Sequence, residues 1–217
     1  MSDARITLLG GEKGGSGKTT LGVSLAAMRA GEGRDVLLVD ADKQASASRW
    51  NEIRDAEKIS PRLTCVSIYG DSLANQIRSL AAKYDDIVID TRGSDAAELR
   101  SAMLVAHVIV TPAQTSQFDI FSFGTMDRLV EQARGFNPDL RALAVINRAP
   151  TNARSSDVAD MREALASLAQ YTLLECVISD RKAFRLTARD GLAVTEYPQA
   201  DAKAVAEIRA LAEEVWR

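Results

Sequence analysis

Gly11-Glu12-Lys13-Gly14-Gly15-Ser16-Gly17-Lys18-Thr19-Thr20 decides how the chain is read. The apolar run Ile6 to Leu9 precedes it and Leu21-Gly22-Val23-Ser24-Leu25-Ala26-Ala27 follows it, a pattern of buried strand, glycine-rich loop and helix. Such a loop lets several backbone N–H groups converge on phosphate oxygens without Cβ atoms in the way, and the helix start adds favourable partial charge. Lys18 then neutralises the β- and γ-phosphates and the Thr19 hydroxyl ligates Mg²⁺, while Gly14, Gly15, Ser16, Gly17 and Thr20 complete the nucleotide-binding set. One position departs from the ordinary motif: Glu12 stands five before Gly17, where Gly is usual, and Lys13 directly precedes the paired glycines.

Outward from this loop, short Val/Ile/Leu runs recur at Ile6 to Leu9, Val36 to Val39, Ile87 to Ile89, Val108 to Val110, Leu143 to Ile146 and Leu173 to Ile178. Between them, Thr19 to Arg29, Leu73 to Lys83, Ala96 to Val105, Ser116 to Arg134 and Asp157 to Leu168 carry helical composition. The alternation predicts an α/β fold, a single-domain P-loop NTPase spanning 1–217 with a mostly parallel twisted sheet covered by helices on both faces. Ligand sites then fall at the carboxyl ends of the strands. Asp201 to Arg217 reads as an amphipathic helix with Val205, Ile208, Leu211 and Val215 inward and Glu207, Arg209, Glu213 and Glu214 outward, its mixed charge favouring docking on the core over a membrane surface.

Composition excludes several classes. With 27 Lys+Arg against 30 Asp+Glu the net charge is -3, so nucleic-acid binding needs a local patch rather than a global field. No apolar run approaches the roughly 18 residues that span a bilayer, and the start of the chain lacks an export signal. Cys65 and Cys176 share no metal-ligand spacing and read as reduced core residues; the single His107 lies in a strand-like run.

Lys13-Gly14-Gly15-Ser16-Gly17-Lys18-Thr19-Thr20 resembles the deviant Walker A motif of the ParA/MinD family of ATPases, closest to its short partition and positioning members. Val36-Leu37-Leu38-Val39-Asp40-Ala41-Asp42 is similar to the family's second strand and switch, with Lys43 where Pro is usual. Tyr84 through Asp90 to Gly93 resembles its Walker B strand, Val145-Ile146-Asn147-Arg148 the strand end that offers an Asn to adenine, and Asp180 through Glu207 its C-terminal pattern. The likeness covers essentially the whole chain. Two-residue spacing at a strand end turns the Asp40 and Asp42 carboxylates to one side. The resemblance implies that Asp42 polarises the attacking water, that Asp40 and Asp90 hold metal-bound waters, that Asn147 contacts the base, and that Lys13 reaches across a homodimer to the other subunit's nucleotide. Lys13, Lys18 and Asp42 are thus the implied catalytic set, with ATP and Mg²⁺ as cofactors. No arginine stands at an obvious catalytic position, so slow intrinsic turnover is expected.

The function so implied is an ATPase that dimerises on ATP, binds DNA non-specifically, and positions a plasmid, chromosome or protein cargo until a small partner protein stimulates hydrolysis. The setting would be cytoplasmic, nucleoid-associated when ATP-bound, without a membrane and without an added N-terminal helix-turn-helix domain. Arg181, Lys182, Arg185 and Arg189 are the DNA-binding candidates; if their segment is helical, Arg181, Arg185 and Arg189 form one stripe while Phe184 and Ala188 turn inward. A MinD-like membrane-associated ATPase and a P-loop ligase or small-molecule kinase remain alternatives, while a nitrogenase-reductase-like carrier is excluded by the missing cluster cysteines.

Overall fold

The computed structural model describes residues 4–93, 97–151, 156–197, 199 and 201–217, with backbone alone at 117–121. Seven strands form one parallel sheet: β1 (Arg5–Leu9), β2 (Val36–Ala41), β3 (Thr64–Ser67), β4 (Asp86–Thr91), β5 (Val108–Ala113), β6 (Arg141–Ala149) and β7 (Thr172–Ser179). Their order is β3-β2-β4-β1-β5-β6-β7, so the chain moves to one side of β1, returns through β4, and continues on the other side from β5. The loop after β1 therefore emerges at the sheet's centre, where ligands bind in open parallel sheets.

The helices are α1 (Lys18–Gly31), α2 (Ser46–Ala56), α3 (Leu73–Ala81), α4 (Ala97–Met103), α5 (Gln117–Arg134), α6 (Asp157–Ala166), α7 (Lys182–Arg189) and α8 (Ala202–Trp216). Period-two alternation divides the strand side chains between two layers. Leu9, Leu38, Val88 and Val110 pack with Leu25 of α1, Trp50 of α2, Phe184 of α7 and Ile208 of α8. Ile6, Leu8, Val39, Ile89 and Ile109 pack on the opposite face with Ile77, Leu99 and Val130 of α3, α4 and α5. Each such Leu or Ile removed from water stabilises the fold by about 1.5–3 kcal/mol, and both faces are covered because the strands carry apolar residues in both phases.

Two elements were absent from the sequence reading. β3 and α2 went unassigned, β3 because Thr64-Cys65-Val66-Ser67 is an edge strand whose outer residues need not be apolar. α2 carries a low apolar content, holding its place through Ala47, Trp50 and the fully buried Arg54. The expected start of the fourth helix at Ala96 lies outside the described residues; that helix runs from Ala97.

α8 docks on the core as expected, yet its polar face does more than meet solvent. Asp201 caps its first turn by accepting from the Lys203 and Ala204 N–H groups. Glu214 accepts from the Glu175 and Cys176 N–H groups, both at 2.8 Å, and Glu207 accepts from the Ser179 N–H. The edge strand β7 thus has part of its open ladder filled by carboxylates. Val205, expected inward, is half-buried, and Ala204 and Ala212 occupy the core instead.

Candidate nucleotide-binding site

The loop 10–17 leaves β1 and enters α1 through Gly17, whose φ of 98° and ψ of 14° are left-handed. A Cβ at Gly17 would also collide with the Asn147 amide nitrogen, so this position needs glycine on two independent counts. Gly93, three residues past Asp90, presses on the other side of the loop: a Cβ there would lie 2.6 Å from the Gly14 nitrogen and the Lys13 carbonyl carbon. The phosphate loop is thus clasped between the ends of β4 and β6. Gln114 Nε2 adds a hydrogen bond to the Gly15 carbonyl at 2.9 Å.

Inside this frame the predicted residues converge. Lys18 is buried, and its Nζ donates to the Lys13 carbonyl at 2.8 Å. Burial pushes the Lys18 ammonium pKa below its ordinary value, with Asp90 and Asp42 acting in the opposite sense. The Thr19 hydroxyl donates to Asp90 Oδ2 at 2.6 Å, and Asp90 Oδ1 is buried without a hydrogen-bond partner. Burial raises the Asp90 carboxyl to about 7, against the lowering by Thr19, and Asp40 contributes in the raising direction. Asp40 and Asp90 are direct register partners on β2 and β4. An orphaned carboxylate oxygen beside a threonine hydroxyl is an oxygen donor set suited to Mg²⁺, which takes few protein ligands alongside water and phosphate.

Asp40 has a second task. Its Oδ1 accepts from the Asp42 N–H at 3.1 Å and its Oδ2 from the Ser48 N–H at 2.8 Å, tying the switch loop to the first turn of α2. Asp42, half-buried just beyond β2, accepts from the Gln44 N–H, and its carbonyl closes a turn by accepting from the Ala45 N–H. Lys43 is exposed on that turn. Asn147 is buried, and its Nδ2 donates to the Ser16 carbonyl at 2.6 Å; in this geometry the amide braces the loop. Lys13 is half-buried with Nζ donating to Ser116 Oγ at 3.2 Å, at the N-terminus of α5.

Gly14, Gly15, Gly17, Lys18, Thr19, Thr20, Asp42 and Gln44 line an open cleft of about 480 Å³ together with Ser46, Thr91, Arg92, Gly93 and Arg148. Arg92 and Arg148 also line this cleft, and the sequence reading had assigned neither to the site. Both lie inside quoted motifs; what periodicity lacks is the backbone geometry that aims a residue at or just beyond a strand's carboxyl end. The packing of Gly93 on the loop and the Gln114 hydrogen bond were not read for the same reason.

The basic segment departs further from expectation. Arg181 lies outside α7 in extended conformation, φ -93° and ψ 138°, so the three-arginine helical stripe does not form. Its guanidinium is mostly buried and donates to Glu207 Oε1 at 3.0 and 2.7 Å, with Asp201 3.8 Å away. It secures α8 rather than facing solvent. Lys182, Arg185 and Arg189 are exposed on α7, opposite the buried Phe184 and Thr187; Arg185 pairs with Asp180 and Arg189 with Asp190, each at 2.8 Å.

A family model described as the CobQ/CobB/MinD/ParA nucleotide binding domain matches residues 8–194. The chain is 28% identical to maintenance of carboxysome distribution protein A of Halothiobacillus neapolitanus, over 94% of this chain and 92% of that protein. It is 30% identical to the protein of the same name from Gloeobacter kilaueensis, over 98% and 95%. Its fold superposes on the septum site-determining protein MinD complexed with Mg-ADP from Pyrococcus horikoshii OT3 with a TM-score of 0.76 at 23% identity, covering 98% and 96% of the two chains. Motif, topology and family match agree: the chain belongs to the CobQ/CobB/MinD/ParA nucleotide-binding family, on its ParA/MinD branch.

Proposed function

We propose that this chain is a Mg²⁺-dependent positioning ATPase that dimerises on ATP, binds DNA without sequence preference in that state, and moves a plasmid, chromosome or protein cargo with a small stimulating partner. The observation that carries the reading is the Thr19–Asp90 pair with its orphaned, buried carboxylate oxygen at the mouth of a glycine loop. Bound Mg²⁺ would be held by the Thr19 hydroxyl, with Asp40 and Asp90 acting through water, and would neutralise phosphate charge. Backbone N–H groups of 14–20 hold the phosphates, and Lys18 gives up its contact with the Lys13 carbonyl for the β- and γ-phosphates. Asp42, in the cleft wall on the switch turn, orients the attacking water. Lys13 serves the facing subunit's triphosphate, as an arginine finger does in other NTPases.

DNA binding rests on Lys182, Arg185 and Arg189. Exposed ion pairs contribute little, so the Asp180 and Asp190 pairings yield readily to duplex phosphates. Dimerisation doubles the basic face on one duplex, linking nucleotide state to DNA affinity. Support for a positioning role comes from the near full-length likeness to proteins named for carboxysome distribution.

The test is light scattering of wild type, Lys13→Ala and Asp42→Ala with ATP. Wild type should dimerise with ATP and not with ADP, Asp42→Ala should accumulate the ATP dimer, and Lys13→Ala should bind nucleotide yet stay monomeric. Equal dimer populations for wild type and Lys13→Ala would remove the cross-subunit role.

A further inference from the structure

Arg148 follows Asn147 near the carboxyl end of β6 with a φ of 54°, a left-handed conformation that residues bearing a Cβ avoid. Conformations of this kind persist where surroundings over-determine them, and they cluster at ligand sites. Here the backbone lies in the irregularity where β6 shifts register against β7 between Ile146 and Ala149, and bulges of this kind re-aim a side chain next to a site. Arg148 is exposed, and among the described residues no hydrogen bond or ion pair holds its guanidinium. The arginines that follow β7, Arg181, Arg185 and Arg189, each have a carboxylate.

Its position supplies the missing partner. Arg148 lines the 480 Å³ phosphate cleft and also a small crevice between the ends of β6 and β7, walled by Thr20, Ile178, Asp180 and Phe184. It is the wall shared by both spaces beside Gly17 and Thr20, and its Nε lies 4.0 Å from the point a Cβ on Gly17 would occupy. Lys18 answers the β- and γ-phosphates, whereas the loop backbone at the start of α1 cradles the α- and β-phosphates. A nucleotide seated on Lys18 therefore leaves the cleft along the Gly17–Thr20 side, past Arg148.

We propose that Arg148 is a nucleotide-binding residue whose guanidinium grips the α-phosphate side of the nucleotide where it leaves the cleft past Gly17 and Thr20. A guanidinium offers paired donors that match phosphate geometry, and that of Arg148 already stands beside Gly17. The proposal rests on the nucleotide-binding reading and adds a contact that the γ-phosphate does not govern.

Isothermal titration of ATP and ADP with Mg²⁺ tests it on wild type, Arg148→Gly, Arg148→Lys and Lys18→Ala, with thermal melts of each nucleotide-free protein. Glycine adopts the observed φ without strain, so Arg148→Gly should melt no lower than wild type while losing about tenfold to a hundredfold in affinity, equally for ATP and ADP. Arg148→Lys should recover part of the loss. Loss for ATP alone would move the contact to the γ-phosphate and overturn the assignment. Unchanged affinities with a lowered melting temperature would make Arg148 a structural residue and also overturn it. A wild type that binds neither nucleotide would remove the underlying reading as well, an outcome distinguishable because Lys18→Ala would then match wild type.

Discussion

Two strand ends lead into helices bearing cations, and they treat those cations in opposite ways. At β1–α1, Lys18 is buried, hydrogen-bonded to the Lys13 carbonyl, and enclosed by a loop that Gly93 and Asn147 clamp from either side. At β7–α7, Arg185 and Arg189 stand with 61% and 71% of their side chains exposed, each held by one surface carboxylate. Preorganisation marks the first as a site for one ligand in one pose, where the loop backbone is clamped before the ligand arrives. Looseness suits the second to a polyelectrolyte, whose affinity comes from charge number and counterion release rather than fixed geometry. Arg181 shows the border between the two. It carries the same charge a few residues away, yet Glu207 and Asp201 draw it into the fold.

The largest effect that would break this contrast is at Lys18. Replacing it with Ala removes the buried cation proposed to meet the β- and γ-phosphates, so Mg-ATP affinity should fall at least about a hundredfold. Calorimetry reads it directly; an unchanged Kd would mean that the clamped loop is not the phosphate site.

Asp90 sharpens the same side through pH. Its carboxyl titrates at about 7 in the fold, raised chiefly by burial, against the ordinary 3.8. The folded state therefore holds a proton that the unfolded chain has released, and stability of the nucleotide-free protein should fall as pH rises from about 4 to about 7. Asp90→Asn stays neutral and should flatten that fall, melting higher than wild type at pH 8 while losing Mg²⁺-dependent nucleotide affinity. Parallel melting curves for the two proteins between pH 5 and pH 8 would contradict the proton on Asp90.

On the α7 side the expected signature is salt. Each phosphate contact contributes about -0.9 to the slope of log K against log salt, so Arg185→Ala/Arg189→Ala should flatten the slope for unrelated duplexes by up to about 3.6 in the dimer. Arg181→Ala should leave the slope alone and instead destabilise the fold by about 1–2 kcal/mol, because it strips Glu207 of a partly buried partner. If Arg181→Ala changed the slope and the double variant did not, the assignment of loose and fixed cations would be reversed.

How much of this was legible follows from which forces write themselves into short sequence windows. The phosphate loop was readable because glycines, Lys18 and Thr19 must be contiguous. The buried strands were readable because apolar runs are local, as was the docking of α8 with Ile208, Leu211 and Val215 inward. The α7 stripe was misread because helical spacing alone does not show that α7 begins at Lys182, or that Glu207, 26 residues on, captures Arg181. Arg148 and Gly93 stood in their motifs without an assigned role, for a related reason: each meets the phosphate loop through backbone detail, a left-handed φ near the end of β6 or a missing Cβ just past β4, that spacing does not encode. β3 and α2 were lost because an edge strand and a helix held by a buried Arg54–Glu196 pair carry few apolar markers.

The smallest expected effect concerns the hinge between the rigid loop and the nucleotide's reacting end. The turn Asp42-Lys43-Gln44-Ala45 is closed by the Ala45 N–H donating to the Asp42 carbonyl at 2.8 Å, and the Gln44 N–H donates to the Asp42 side chain at 2.9 Å. Ala45, the cap of α2, sits at φ 55° and ψ 37°. Left-handed backbone costs an L-residue about 1–2 kcal/mol, and glycine's greater freedom in the unfolded chain costs about 0.5–1 kcal/mol. Ala45→Gly should therefore stabilise the nucleotide-free protein by about 0.5 kcal/mol, a rise in Tm of roughly 1–2 °C for a chain of this size. The same freedom loosens the turn that presents Asp42, and Lys43 supplies no ring to hold it. Turnover should then fall while the Kd for ATP is kept, since the loop 14–20 is untouched. A variant that melts lower, or that loses affinity and turnover together, would show that Ala45 supports the phosphate site itself rather than the switch.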